Sequence, residues 1–321
     1  MTPLNASMDS PQRRRARVRQ LALWCAALVL LITSLSAFIR LSQSGLGCEP
    51  WPRCFGSALR AEQPADVQPS RDVAVLPAAR MTHRVAASVV LLGVIAMVAL
   101  CFGRRPRLTR EGALALLLLL LALGLAVLGR WTSGSRAPGI VMGNLLGGTL
   151  MLALCWRLAA PPAQARGRTS PGIGMLAGVS ATVLLCQLAL GALTSASYAG
   201  MSCSGLFDCL RSAAAAGWNW SALDPWRAPM FAASELPINS EGALTQLVHI
   251  VGAVLVLATC VPLAVLALRG PWRAQGWQLL ALLALQMVVA MLLVGGGPTL
   301  PLVLAHNIIA ALLLAVAARM V

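Results

Sequence analysis

Three histidines stand in a chain of 321 residues, and all three fall inside apolar runs. His83, His249 and His306 each lie several residues in from one end of their run. An ionisable side chain is costly in a bilayer, so it marks a candidate functional site. Imidazole ligates haem iron well, and a slot between apolar helices suits the macrocycle. Haem ligation by His249 and His306 is the favoured chemistry, because both belong to one predicted four-helix unit. Hydrogen bonding or packing between helices is the alternative; another metal or a proton relay is a third. His83 lies in a different unit and is followed by Arg84. That guanidinium is either an anchor at the membrane interface or, like Arg40, a bidentate partner for a haem propionate.

Four of the nine cysteines form two pairs with the same spacing, Cys48 with Cys54 and Cys203 with Cys209, each Cys-x5-Cys. Both pairs fall in connections expected to face an oxidising compartment, so two local disulfides are expected. A zinc site built from all four is the alternative; no loop histidine supports it, and the spacing is wide for a zinc knuckle. A reversible dithiol is a further reading. Cys25, Cys101, Cys155, Cys186 and Cys260 fall in or at the ends of the apolar runs and read as small buried apolar residues.

The elements that must position these groups are membrane helices. The composition is 58% hydrophobic and 11% charged, with a mean hydropathy of +0.78, far from a soluble globular chain. A soluble enzyme, a disordered chain and a disulfide miniprotein are excluded. The apolar runs are continuous rather than alternating, which argues for helices over a barrel. Eight spans can be drawn, at 21–39, 81–102, 111–130, 138–158, 174–195, 243–268, 276–296 and 300–318. The run at 21–39 is long for a signal peptide and is read as a retained anchor.

The net charge of +15 comes from 25 basic residues, all arginine. They flank the spans: Arg13, Arg14, Arg15, Arg17 and Arg19 before the first, Arg104, Arg105, Arg107 and Arg110 between the second and third. Arg157, Arg166 and Arg168, then Arg269 and Arg273, then Arg319 continue the bias on the same side. This pattern orients helices and places both termini in the cytoplasm; it does not call for nucleic acid. No glycine-rich nucleotide motif is present. The long connections at about 40–80 and 196–242 therefore face outward. They carry eight of the ten acidic residues, together with Trp218, Trp220 and Trp226, which suit an interfacial cap.

The chain also repeats itself. Gly45 and Gly200 each stand three residues before a Cys-x5-Cys pair, after the first and fifth spans. Val141-Met142-Gly143-Asn144 matches Val303-Leu304-Ala305-His306, and Leu128-Gly129 matches the Leu293 to Gly295 segment. The expected fold is an all-α membrane protein of eight transmembrane helices, arranged as two pseudo-repeated four-helix bundles over residues 1–168 and 169–321.

The run Arg40-Leu41-Ser42-Gln43-Ser44-Gly45-Leu46-Gly47-Cys48, then Trp51-Pro52, Cys54 and Gly56, resembles the first external loop of the haem A synthase family, of the CtaA/Cox15 type. His83-Arg84, the segment Gln187 to Leu193, His249 and His306 resemble the same family. The resemblance implies an inner (plasma) membrane oxidoreductase that converts the ring methyl of haem O to the formyl of haem A for terminal oxidases. It implies a haem b cofactor between His249 and His306 in the C-terminal half. It places the substrate haem in the N-terminal half, with His83 as the catalytic, iron-facing residue. An electron donor, a haem O synthase and oxidase assembly factors are the partners it implies. The family's span-four histidine is here Asn144, and its glutamate three residues before the span-two histidine is here Arg80. Both departures fall in the substrate half. They keep a second expectation in play, a non-catalytic haem b protein for electron relay or haem handling, and a third, a haem-free assembly or transport module.

Overall fold

A computed structural model describes residues 10–43, 75–132, 137–160, 171–228, 239, 241–297 and 299–321. Eight long apolar helices account for most of them: α1 (Pro11–Gln43), α2 (Val75–Phe102), α3 (Thr109–Thr132), α4 (Pro138–Ala159), α5 (Pro171–Ala196), α7 (Ala243–Leu268), α8 (Arg273–Gly296) and α9 (Leu300–Ala318). A short helix, α6 (Leu206–Ala215), and two 3₁₀ turns lie between α5 and α7. Leu- and Ala-rich runs favour helix, and a spanning helix satisfies its own backbone where no water is present. Proline opens α1, α4 and α5, where its missing N–H has no helical partner to lose. The chain is a multi-pass membrane protein. Its largest exposed side chains include Leu92, Leu120, Val254 and Met291, each on the outer surface of a spanning helix, where acyl chains replace water.

The helices pack as two rings of four. In the first, α1 touches α2 and α4, and α3 touches α2 and α4. In the second, α5 touches α7 and α9, and α8 touches α7 and α9. This leaves α2 diagonal to α4, and α7 diagonal to α9. The rings meet where α4 packs on α5 and α9, and the packed interior runs across that seam: Ala311 and Ala315 of α9 join the first core, Ala153 of α4 the second. Close approach relies on small residues. Gly143 and Gly147, one turn apart on α4, receive Leu128 and Leu125 of α3, and Gly148 receives Thr33 of α1.

The seam is also tied at the ends of α4 and α9. The Arg157 guanidinium donates to the Ala318 carbonyl at 2.7 Å, and Arg319 lies over the Trp156 ring at 5.7 Å. Arg157 and Arg319 stand equally far past Asn144 and His306 in the sequence. Each thus reaches across to the other helix's last turn, where a cation meets orphan carbonyls or an aromatic face.

Two expectations need adjustment. The first helix begins at Pro11 rather than near 21, and Arg14 explains why. It is not a solvated topogenic charge but is 2% exposed. Its guanidinium donates to the carbonyls of Arg104 at 2.9 Å, Pro106 at 2.5 Å and Leu100 at 3.4 Å, clasping the turn after α2. Beside it, Arg15 pairs with Glu111 of α3 at 3.0 Å. The second adjustment concerns the span cysteines. Cys25, Cys101, Cys155 and Cys260 are buried as expected, but Cys186 is exposed on α5.

Arg14→Ala removes a buried guanidinium and its three hydrogen bonds to the end of α2 and the turn after it, and such a hydrogen bond contributes about 0.5–1.5 kcal/mol. The variant should unfold at a clearly lower temperature in detergent, whereas Arg13→Ala, on an exposed neighbour, should not. Equal melting temperatures for the two variants would contradict the clasp.

Candidate functional site

The second ring closes on a pair of imidazoles. His249, in the second turn of α7, and His306, in the second turn of α9, face each other across the ring's diagonal. Their ring centroids are 6.4 Å apart, with the planes inclined at 67°. The chain brings α9 back beside α8 through Gly297, whose φ of 80° is the left-handed backbone that glycine adopts freely.

Each imidazole is met by a glutamine from a flanking helix. Gln187 Nε2 of α5 donates to the His249 carbonyl at 2.9 Å and lies 3.1 Å from His249 Nδ1. Gln286 Nε2 of α8 lies 3.1 Å from both ring nitrogens of His306. The Oε1 atoms of both glutamines are buried without a hydrogen-bond partner. Gln187 and Gly191 stand one turn apart on the same face of α5. A Cβ at Gly191 would sit 2.9 Å from His249 Cε1, and one at Gly252 of α7 would strike the Gln187 amide. Two glycines thus let α5 and α7 come close enough for the contact. Gln187 entered the sequence reading only as part of a motif, and Gln286 did not enter it. The available signal was an amide in the middle of an otherwise apolar run, where buried polar groups need partners.

The donor set decides what could be held here. Among the described residues, no group of three or more His, Cys, Asp or Glu side chains could hold a metal ion. Two imidazoles alone fall short of the four ligands a structural zinc takes. A haem iron needs only axial donors from the protein, because the macrocycle supplies the other four. With bonds of about 2 Å from metal to imidazole nitrogen, two axial rings stand about 6 Å apart, close to the observed separation. The residues fit a haem.

The first ring differs. His83 of α2 and Asn144 of α4 occupy its diagonal helices and are half-buried, while Arg80 and Arg84 are exposed. Arg40 lies in the last turn of α1, and Tyr198 opens the segment between α5 and α7.

That segment caps the second ring. Cys203 and Cys209 form a disulfide at the start of α6. Cys209 and Ala213 pack against Ala243, Leu244 and Leu247 at the head of α7, next to His249. Asp208 accepts hydrogen bonds from the Ser204 amide and hydroxyl, and these hold its carboxyl below the usual carboxylate range. The Arg227–Glu241 pair at 2.8 Å, Asn219 to Glu241 at 3.0 Å and Thr245 to the Ala222 carbonyl at 2.9 Å fix the stretch from Asn219 to Arg227 to the head of α7. The Gly139 amide of α4 donates to the Pro225 carbonyl at 2.6 Å, so the cap reaches the first ring too. Trp218, Trp220 and Trp226 are exposed on it. Cys48 and Cys54 lie outside the described residues.

The sequence pattern of the COX15-CtaA family, described as cytochrome oxidase assembly protein, matches residues 19–318. The chain belongs to the COX15-CtaA family. It is also 33% identical over 192 residues to the heme A synthase of Shewanella oneidensis, a match covering 56% of this chain and 57% of that relative. The family match covers α1 from residue 19 and the other seven spanning helices in full, with both diagonal pairs and the cap between α5 and α7.

The disulfide is directly testable. Cys203 and Cys209 should resist a membrane-impermeant thiol reagent until a reductant is added. Labelling of both without reductant would contradict the bond.

Proposed function

We propose that this chain is a haem A synthase-like oxidoreductase of the cell inner (plasma) membrane, with His249 and His306 as the axial ligands of a resident haem b. The observation that carries the reading is the diagonal imidazole pair, 6.4 Å apart, with no third metal-binding side chain grouped with it among the described residues. In this reading residues 169–321 form the cofactor half and residues 1–168 the half that takes the substrate, haem O. When bound, the haem b supplies one-electron chemistry. The chain's own residues do the rest. His249 and His306 would hold the iron, and the apolar walls of α5 and α8 would exclude water. The cap pinned by Cys203–Cys209 closes the outer end. His83 faces the substrate half, and Arg40 and Arg84 supply guanidinium groups for haem propionates. The reaction is oxidation of a ring methyl to a formyl group, which requires an electron partner, and it connects haem O synthesis to oxidase assembly. Both termini lie in the cytoplasm and the cap lies outside.

A second reading is favoured by two positions. Asn144 stands on α4 where the repeat places His306 on α9, and the exposed cation Arg80 lies one turn before His83. An amide is a weak substitute for an axial imidazole. A haem b protein that relays electrons or handles haem without oxidising it would need only the second ring.

Two measurements test these readings. The purified protein should carry a low-spin haem b. His249→Ala and His306→Ala should each lose most of it, while His83→Ala keeps it; unchanged low-spin haem in both of the first two variants would overturn the ligand assignment. Extraction of pigment from a host that makes haem O but lacks its own synthase then separates the readings. A formyl haem supports the enzyme, and haem O alone supports the relay.

A further inference from the structure

We infer that Gln187 and Gln286 are positioning residues that set the tautomer, and so the donor strength, of the two axial imidazoles. The inference rests on the ligand assignment proposed above and deepens it.

The argument is an accounting of protons. A neutral imidazole carries one N–H and one lone pair. A ring that gives its Nε2 lone pair to a metal must carry its proton on Nδ1, and that proton is ordinarily accepted by a carbonyl or carboxylate. In the structure the Gln187 amide nitrogen, not its oxygen, faces His249 Nδ1. That arrangement places the ring proton on Nε2. Gln187 Oε1 is meanwhile buried with no donor, and so is Gln286 Oε1 beside His306. Gln286 Nε2, equidistant from both ring nitrogens, lies over the face of the His306 ring and donates in line to neither. Each site therefore pairs a ring that must present an Nδ1–H on ligation with an amide that has one unused acceptor. Turning the Gln187 amide about its last side-chain bond delivers that acceptor to Nδ1 in exchange for its hydrogen bond to the His249 carbonyl. No carboxylate is in contact with either ring among the hydrogen bonds and ion pairs of the described residues, so the amide is the acceptor at hand. The acceptor is neutral, and it raises ligand basicity less than a carboxylate would. The two glutamines come from α5 and α8, the two helices flanking the diagonal. The device is thus built in duplicate, one amide per ligand.

The test uses full-length protein in detergent, with haem content, the low-spin spectrum and the midpoint potential as readouts. Gln187→Leu and Gln286→Leu remove the acceptor; each should weaken haem retention by about 10-fold or more and raise the potential. Gln187→Glu and Gln286→Glu supply a stronger acceptor; each should lower the potential while keeping the haem low-spin. A 10-fold change in the ferric-to-ferrous affinity ratio is about 59 mV for one electron. A packing role alone would move both variants at a position the same way or leave the potential unchanged, and either outcome overturns the inference. The control is His249→Ala with His306→Ala. If those variants keep the low-spin haem, the ligand assignment itself has failed. If they lose it while the glutamine variants leave the potential untouched, only the positioning role has failed.

Discussion

A polar side chain placed among apolar helices must find its partner inside the protein, because neither lipid nor water will serve it. In this chain that requirement accounts for most of what is specific. The bulk of each spanning helix is interchangeable Leu, Ala and Val, which fixes helix formation but not which helices meet. The exceptions do the specifying. Arg14 clasps the turn after α2, Arg157 and Arg319 tie α4 to α9, and each histidine of the second ring meets a glutamine from the next helix. Where no polar tie exists, small residues such as Gly143 and Gly147 decide the approach.

The same requirement separates the two halves. In the second ring the diagonal helices carry a matched pair of imidazoles and the flanking helices carry matched amides. In the first ring the diagonal carries one imidazole and one amide, His83 and Asn144. The architecture is shared, but the donor inventory is not. A half with two imidazoles can hold an iron from both faces; a half with one leaves a face open.

Much of this was legible in the sequence. Continuous apolar runs and arginine flanks gave the eight spans, and the position of His249 and His306 within their runs gave their common depth. What stayed hidden has a physical reason in each case. Arg14 looked like one more basic flank residue, because a run of arginines does not reveal which one turns inward. The amphipathic α6 fell in a loop dominated by Trp, Pro and Ser, and it is short enough that its stability comes from the Cys203–Cys209 bond and packing on α7 rather than from propensity. Gln286 escaped because a single amide in a Leu-rich run shows neither its direction nor its neighbour. Gly191 and Gly252 matter only through what stands opposite them, and that is a property of the packed ring.

The central claim is that two protein imidazoles from α7 and α9 hold one iron between them. Low-temperature electron paramagnetic resonance of the purified, oxidised protein tests it most directly, because axial ligation sets the spin state of ferric haem. The account predicts a low-spin ferric signal of the bis-imidazole type that accounts for the bound haem. A spectrum that is wholly high-spin, or low-spin with a sulfur ligand, would contradict it.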